Sequence, residues 1–206
     1  MKEKTNPKDI FLKYFPENAV EYCFQLWVKN NFHFRITRKR NSKFGDYTYD
    51  FASRSHTITI NADLNPFAFL ITYLHEIAHL MVRIHFTQRV APHGPEWKNE
   101  FRKVASPMLS EEIFPKPILK AFVSYLHNPK ASSCSDPALF KVLHAEDNSS
   151  GLYFLSDLNQ GQKFILNHKY YLKEETRRTR TICKELKTGK KYLISNIAKV
   201  TLGNEN

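Results

Sequence analysis

Hydrophobic and polar positions follow two different periods in the first part of the chain. Apolar residues spaced three and four apart predict helices over residues 17–30 and from Pro66 onward. Between these helices, residues 31–37, 45–51 and 56–61 alternate apolar and polar side chains, which is typical of half-buried strands. We therefore expect an α+β domain in which an antiparallel sheet packs on a long helix. Further helices are predicted from Pro95 and near the end of this region.

The pattern changes in the segment HNPKASSCSDPALF, residues 127–140, which is rich in Pro, Ser and Asn, as domain boundaries often are. Beyond it, the short runs LYFLSD, KFILN, KYYLK, RTICKEL and KYLISN are separated by turn signals such as the one at residues 149–151. Several short strands at this spacing predict a small barrel or meander. The sequence thus predicts two domains, residues 1–128 and a β-rich domain over residues 129–206.

Composition narrows the class of protein. Of the 206 residues, 42% are hydrophobic and 25% are charged, which is typical of a folded globular chain. The N-terminal stretch is hydrophilic, and no run reaches the roughly 18 apolar residues of a membrane span, so we expect no membrane partner. Cys23, Cys134 and Cys183 stand alone, so neither a disulfide framework nor a cysteine-paired zinc site is expected. A cytoplasmic location is the default prediction.

The formal net charge of +11 is concentrated in two clusters. Residues 29–43 carry six Lys or Arg and no acid, and residues 162–192 carry ten Lys or Arg against three Glu. Such clusters occur on ordinary solvated surfaces, but they also favour a polyanionic partner, and we expect DNA before a membrane. The predicted nucleic-acid-binding residues are Arg35, Arg38, Lys39, Arg40, Arg177, Arg178 and Arg180.

The strongest chemical signal is the sequence His75-Glu76-Ile77-Ala78-His79 on the long predicted helix. Two His residues four apart project from one helix face, which suits two nitrogens on one Zn²⁺ ion. Glu76 lies beside them and could act on a water molecule without itself being a ligand. Two unrelated, satisfied histidines are the structural alternative.

A catalytic zinc needs a third protein ligand, and the residues alone leave several open. His85 has the offset of the third metzincin histidine, but Val82 stands where that family has a glycine. If the helix continues, His85 faces away from the other two. His93 in a predicted turn, or Glu96 or Glu100 on the next helix, are the remaining candidates.

The stretch YLHEIAHLMVRIHFTQRVAPHGPEWKNEF resembles the SprT-like metallopeptidases, whose hallmark is HExxH followed about fourteen residues later by His-Gly-x-x-Trp/Phe and a lysine. Here the third histidine is His93, and Gly94, Trp97 and Lys98 fit. The upstream TITINADLN resembles the strand before that family's active-site helix, and the resemblance covers roughly residues 17–125.

The resemblance implies a zincin-like fold, zinc held by His75, His79 and His93, and Glu76 as catalytic acid/base. It implies hydrolysis of peptide bonds in protein substrates. Because the family includes Spartan-type proteases that degrade proteins crosslinked to DNA, DNA-associated proteolysis is predicted as well. Many relatives end in a cysteine zinc ribbon, which this chain lacks, so the second domain resembles a ribbon or barrel without metal, or an unrelated module.

Two other functions remain as alternatives. The first is a nucleic-acid-binding protein with a structural or vestigial zinc site, against which an intact Glu76 argues. The second is an adaptor in which residues 130–206 bind a partner protein, and it fails if residues 1–128 alone cleave protein. No residue is assigned to stabilise the oxyanion, for which Tyr47, Tyr49 and Arg35 are candidates by chain order only.

Overall fold

The computed structural model describes residues 6–40, 43–130, 136–145 and 152–203. These residues form six α-helices and nine β-strands in two sheets, so the predicted α+β class is confirmed. The helices are α1 (Pro7–Tyr14), α2 (Val20–Asn30), α3 (Pro66–His85), α4 (Pro95–Ala105), α5 (Lys116–His127) and α6 (Pro137–Leu143). The strands are β1 (His33–Thr37), β2 (Gly45–Asp50), β3 (Ser55–Asn61), β4 (Leu152–Phe154), β5 (Lys163–Leu166), β6 (Lys169–Thr176), β7 (Arg180–Glu185), β8 (Lys191–Ser195) and β9 (Lys199–Leu202).

The first sheet has the order β1-β3-β2, and the prediction that it is antiparallel is wrong for one of its two pairings. β2 and β3 form an antiparallel hairpin, whereas β1 pairs with β3 in parallel. Between β1 and β2 the chain passes from one side of β3 to the other. Asn61 holds this connection, because its side-chain amide donates to the carbonyls of Arg40 and Lys43. Alternating polarity identifies a strand but not its neighbour or direction.

Helices α3 and α4 begin where the sequence predicts, at Pro66 and Pro95. The side chain of Asn6 caps α1 by accepting from the Lys8 amide, and that of Asn65 caps α3 by accepting from the Ala68 amide. In α1, α3 and α4 a proline occupies the first turn, where its missing N–H leaves no hydrogen bond unmade.

The core of the first unit lies around α3, which contacts β2, β3 and α4. An aromatic cluster from α1, β1 and α3 covers one side of this helix, where the Phe11, Phe15 and Phe34 rings contact Tyr73. The Tyr73 hydroxyl donates to the carbonyl of Cys23 on α2 at 2.8 Å. This packing fixes the rotation of α3, and therefore the direction of its opposite face.

By length and composition, α3 could also cross a membrane. However, 72% of its most apolar window is buried inside the protein, and it carries His75, Glu76 and His79. Its apolar composition is explained by its place in the core. The cytoplasmic location stays a prediction.

The structure divides into two compact units, Met1–Leu139 and Phe140–Asn206. The predicted domain boundary between residues 128 and 129 stays a prediction. It concerns which fragments of the chain fold and act independently. The helix α6 was not predicted, although Asp136 caps it and Pro137 starts it.

The second unit is built on an antiparallel sheet of order β4-β9-β5-β6-β7-β8. Its core contains Leu155, Phe164, Tyr171 and Cys183. Burial raises the pKa of the Cys183 thiol to about 11, as expected for a core residue rather than a metal ligand. Cys134 and the predicted turn at residues 149–151 lie outside the described residues.

Candidate metal centre and adjoining cleft

Two of the predicted metal ligands lie on the face of α3 that points toward α4. His75 and His79 are one turn apart, and their ring centroids are 5.1 Å from each other. His75 is only 4% exposed, whereas His79 is half-buried and lines an open cleft. The spacing therefore places both imidazoles on one face, as predicted, with the His79 side open to solvent.

The third histidine reaches them from the turn before α4. The Gly94 amide donates to the Ala91 carbonyl at 3.0 Å, which closes a turn with Pro92 and His93 at its centre. His93 has a φ of 59°, in the left-handed region that non-glycine residues seldom occupy. A residue held in such a conformation often has a functional constraint. Here the turn directs the His93 side chain at α3.

The three side chains converge on one point. Nε2 of His93 lies 3.0 Å from Nε2 of His79 and 3.2 Å from Nε2 of His75. One nitrogen from each ring lies within 4.8 Å of the other two, so the group could hold a metal ion. Neighbouring nitrogens bound to one tetrahedral zinc ion would be about 3.3 Å apart. The observed spacing is close to that value.

The protonation states favour metal binding. Burial, together with the neighbouring His79 and His93, holds the pKa of His75 well below its usual range. Burial and His93 lower the pKa of His79 to about 4, and burial lowers the pKa of His93. All three imidazoles are therefore neutral at neutral pH, which is the form that coordinates a metal.

Trp97 forms the floor of this site. Its ring centroid lies 4.6, 5.3 and 4.7 Å from those of His75, His79 and His93, and the residue is 1% exposed. Phe101 stacks on the other part of the indole at 5.1 Å. The sequence identified Trp97 as part of a motif, but not its contact with all three rings.

Glu76 is buried against β2 and is 6% exposed. Burial raises the pKa of its carboxyl to about 8, and Asp46 acts in the same direction. The charges of Arg40 and Lys43 and the amide of Tyr47 oppose this rise. A carboxyl with a pKa near neutrality is suited to exchange protons with a substrate.

Gly45 allows Glu76 to lie this close to the sheet. A Cβ atom at Gly45 would be 2.7 Å from Oε1 of Glu76 and 2.7 Å from Cγ2 of Thr72. Any other residue at the start of β2 would therefore displace the carboxyl or the strand. No local pattern in the sequence indicates this requirement, because the contact joins two distant segments.

Arg40, predicted as a DNA contact, is half-buried and bonds inward. Its Nε donates to Oδ1 of Asn61 at 2.8 Å, and its Nη1 donates to Oγ1 of Thr59 at 3.1 Å. Its charge lowers the pKa of Glu76. Arg40 thus belongs to the surroundings of Glu76.

The other predicted DNA-binding residues lie at the surface, three on each unit. Arg35 is on β1, Arg38 and Lys39 follow that strand, and all three are exposed. Arg177, Arg178 and Arg180 are exposed at the β6–β7 turn.

The alternative third ligands lie outside the histidine group. α3 continues through His85, whose Nδ1 is 3.3 Å from Oε2 of Glu100. Oε1 of Glu100 is 2.7 Å from Nζ of Lys103, so both carboxyl oxygens are engaged. Neither His85, Glu96 nor Glu100 belongs to the metal-binding group found among the described residues.

A cleft of about 240 Å³ opens beside His79. Tyr47 is the only one of the three oxyanion candidates that lines it, and the Tyr47 ring lies nearly parallel to that of His79 at 6.4 Å. The Tyr47 hydroxyl is 2.9 Å from Nδ1 of His56. Arg35 instead lies on β1, the strand on the opposite side of β3 from β2.

Comparison with known proteins agrees with this geometry. The model of the SprT-like family matches residues 13–116, about half of the chain. This chain belongs to the SprT-like family. No curated protein and no solved structure was found to match it. The matched segment of this SprT-like protein includes all three histidines and Glu76, whereas the second unit lies outside it.

Proposed function

We propose that this SprT-like protein is a zinc-dependent metallopeptidase. His75, His79 and His93 hold the metal, and Glu76 transfers the proton. The observation that supports this most is the convergence of three neutral imidazoles, with Nε2 of His93 lying 3.0 Å from that of His79 and 3.2 Å from that of His75. The helix that carries His75 and His79 also carries a buried Glu76 with a raised pKa. The membership of the SprT-like family supports the same chemistry.

The residues present fit a zinc ion. Three imidazole nitrogens and one side open to a cleft are the usual donor set of a catalytic zinc, whereas structural zinc sites are closed by four protein ligands. When bound, zinc supplies Lewis acidity toward a carbonyl oxygen and toward water.

The side chains of the protein perform the remaining steps. The Glu76 carboxylate accepts a proton from the attacking water molecule and returns it to the amine of the leaving product. Because Glu76 is buried against β2 and accepts from the Tyr47 amide, its position is fixed before the substrate arrives. Trp97, which packs against all three imidazoles and is itself buried, shields them from water on its side.

We assign the stabilisation of the oxyanion to Tyr47. Burial raises the pKa of its phenol to about 12, so the hydroxyl remains a donor at neutral pH. If Nδ1 of His56 donates to the Tyr47 oxygen, the phenolic proton is free to bond the developing negative charge. Replacement of Tyr47 by Phe tests this assignment, since it should lower kcat more than it raises KM.

The decisive experiment compares the wild type with Glu76→Gln on casein and on the protein's own chain, with and without DNA. Glu76→Gln should keep its zinc and its thermal unfolding temperature, but lose hydrolysis by about 10²–10⁴-fold, because an amide cannot accept the proton. If the two proteins are equally inert, the alternative of a nucleic-acid-binding protein with a structural zinc is favoured. Equal activity would remove Glu76 from the mechanism.

We further propose that the substrates are DNA-bound or DNA-crosslinked proteins. Three exposed arginines at the β6–β7 turn support this, since Arg177 alone has an acidic partner among the described residues, Glu175 at 3.9 Å. Arg35, Arg38 and Lys39 present further positive charge on the first unit. Lys and Arg bind DNA by neutralising phosphates, without sequence preference.

A further inference from the structure

The surface beside the candidate metal centre carries positive charge that is not neutralised. Two neighbouring clefts lie there, and both are lined by Arg83 and Phe86. The first also contains His79 and Arg89. Among the described residues, no Asp or Glu lines either cleft. A substrate that enters these clefts therefore meets arginine without a competing carboxylate.

Arg83 is held in place by aromatic rings rather than by an acid. Its Cζ lies 4.3 Å from the centre of the Tyr49 ring and 5.2 Å from that of Phe51. Stacking of this kind orients the guanidinium plane and leaves its five N–H donors free. In the described part of the chain, the Arg83 guanidinium has neither a hydrogen bond nor an ion pair.

Two other arginines of this unit use their donors internally. Arg102 donates to the carbonyls of Leu126 and His127, and Arg40 donates to Asn61 and Thr59. Glu100, which contacts His85 at the end of α3, is also paired with Lys103. Unlike Arg40 and Arg102, exposed Arg83 keeps its guanidinium donors unpaired within the described residues.

The position of Arg83 also suits the recognition of a substrate. It follows His79 by four residues on α3, which is about 6 Å along the helix axis. An extended peptide advances roughly 3.3 Å per residue, so for a substrate that runs along α3 Arg83 would lie near a side chain about two residues from the scissile bond.

We propose that Arg83 binds an acidic side chain of the peptide substrate, so that cleavage is fastest when Asp or Glu lies within about two residues of the scissile bond. This inference rests on the proposed peptidase function and deepens it by naming a substrate class. A charge-assisted, bidentate contact between guanidinium and carboxylate supplies the selectivity. The rings of Tyr49 and Phe51 supply the orientation.

The test uses three matched peptide substrates that differ only in having Glu, Gln or Lys at this position. For the wild type, kcat/KM should be about tenfold higher with Glu than with Gln, mainly through KM. Arg83→Ala should remove this preference, Arg83→Glu should reverse it in favour of Lys, and Arg83→Lys should retain part of it. Arg89→Ala is the control, because it removes the same charge from the same cleft and should keep the preference.

Three results would overturn the inference: no preference for Glu in the wild type, an unchanged preference in Arg83→Glu, or loss of the preference in Arg89→Ala instead. Zinc content and thermal unfolding of each variant show whether it is folded.

Binding of the same peptides to full-length Glu76→Gln, measured by fluorescence anisotropy, separates this inference from the proposed function. Suppose that no peptide is cleaved, but that the Glu peptide binds more tightly than the Gln and Lys peptides and that this preference needs Arg83. The proposed hydrolysis is then wrong, and the proposed recognition by Arg83 stands. If cleavage is clear but Glu, Gln and Lys peptides bind alike, the recognition is wrong and the hydrolysis stands.

Discussion

Both units bury polar side chains, but they treat them differently. In the second unit, Nζ of Lys173 donates to the backbone carbonyls of Leu155, Ser156 and Leu158, at 2.9, 3.2 and 2.6 Å. Glu185 in the same unit is 3% exposed and is bonded by three neighbouring side chains. These groups are satisfied by the protein itself, as buried polar groups usually are.

In the first unit, several buried polar atoms at or near the candidate centre lack a hydrogen-bond partner within the described part of the chain. Nδ1 of His75, Nε1 of Trp97 and Nη2 of Arg40 are buried and have no hydrogen-bond partner in the described residues. The Nε2 atoms of His75, His79 and His93 face one another, although at most one nitrogen of each close pair can donate a proton to the other. Such an arrangement is costly without a ligand. The contrast separates polar groups that stabilise the fold from the three histidines, which could hold a metal ion.

We expect the largest effect when one of the three converging histidines is removed. His93→Ala should weaken zinc binding by more than about 100-fold, since loss of a ligand exceeds the ~10–100-fold cost of losing a ligand's hydrogen-bond partner. Zinc content by atomic absorption and competition with a chelator measure the effect. His85→Ala, at the end of α3 and outside the histidine group, is the control and should bind zinc as the wild type does. The reverse ranking would indicate a metzincin-like ligand set.

The next largest effect is expected at Lys173, whose ammonium group is fully hydrogen-bonded in the second unit. Lys173→Met keeps much of the side chain's length but leaves three carbonyls without a donor, so the free energy of unfolding should fall by about 1–3 kcal/mol. Lys184→Met, at an exposed position of β7, should change it by less than about 0.5 kcal/mol. Urea unfolding of both variants measures the difference. Equal free energies of unfolding for the two variants would mean that the hydrogen bonds of Lys173 do not stabilise the second unit, contrary to the comparison.

Much of the first unit could be predicted from local patterns. Asn65 and Pro66 predict the start of α3, and the four-residue spacing predicts that His75 and His79 share one face. Both features could be predicted because they depend on residues within one helix. His93 could be assigned only through the family resemblance, since a turn of positive φ brings it in from outside the helix.

The remaining features depend on contacts between distant segments. The parallel pairing of β1 with β3, the close approach of Gly45 to Glu76 and the inward position of Arg40 each join residues that are far apart in the chain. No local pattern encodes such contacts. The missed helix α6 is different, because Asp136 and Pro137 are ordinary helix-start signals within a segment that was assigned to a boundary.

A finer test concerns the position of Glu76 rather than its presence. Gly45→Ala should lower kcat by about 10–100-fold while zinc content stays unchanged, because the new Cβ would lie 2.7 Å from Oε1 of Glu76 and shift the carboxyl. Gly203→Ala in the second unit is the matched control, since a Cβ there makes only ordinary contacts at 3.4 Å and beyond. Steady-state kinetics and zinc content of both variants decide the outcome. Unchanged kcat in Gly45→Ala would show that Glu76 tolerates displacement.

The smallest expected effect concerns the surface of the second unit. Replacement of Arg177, Arg178 and Arg180 by Ala removes three exposed charges from one turn and keeps the backbone hydrogen bond from the Arg177 amide to the Arg180 carbonyl. If these arginines bind phosphates, log K for duplex DNA should depend less steeply on log salt, by about 0.9 for each phosphate that the variant no longer neutralises. Zinc content and cleavage of a short peptide should stay as in the wild type, because both depend on the first unit. Replacement of Lys116, Lys120 and Lys130 removes the same charge from the first unit and should leave the slope unchanged. DNA binding that is absent at low salt, or a slope that both triple variants lower equally, would leave the arginines as an ordinary charged surface.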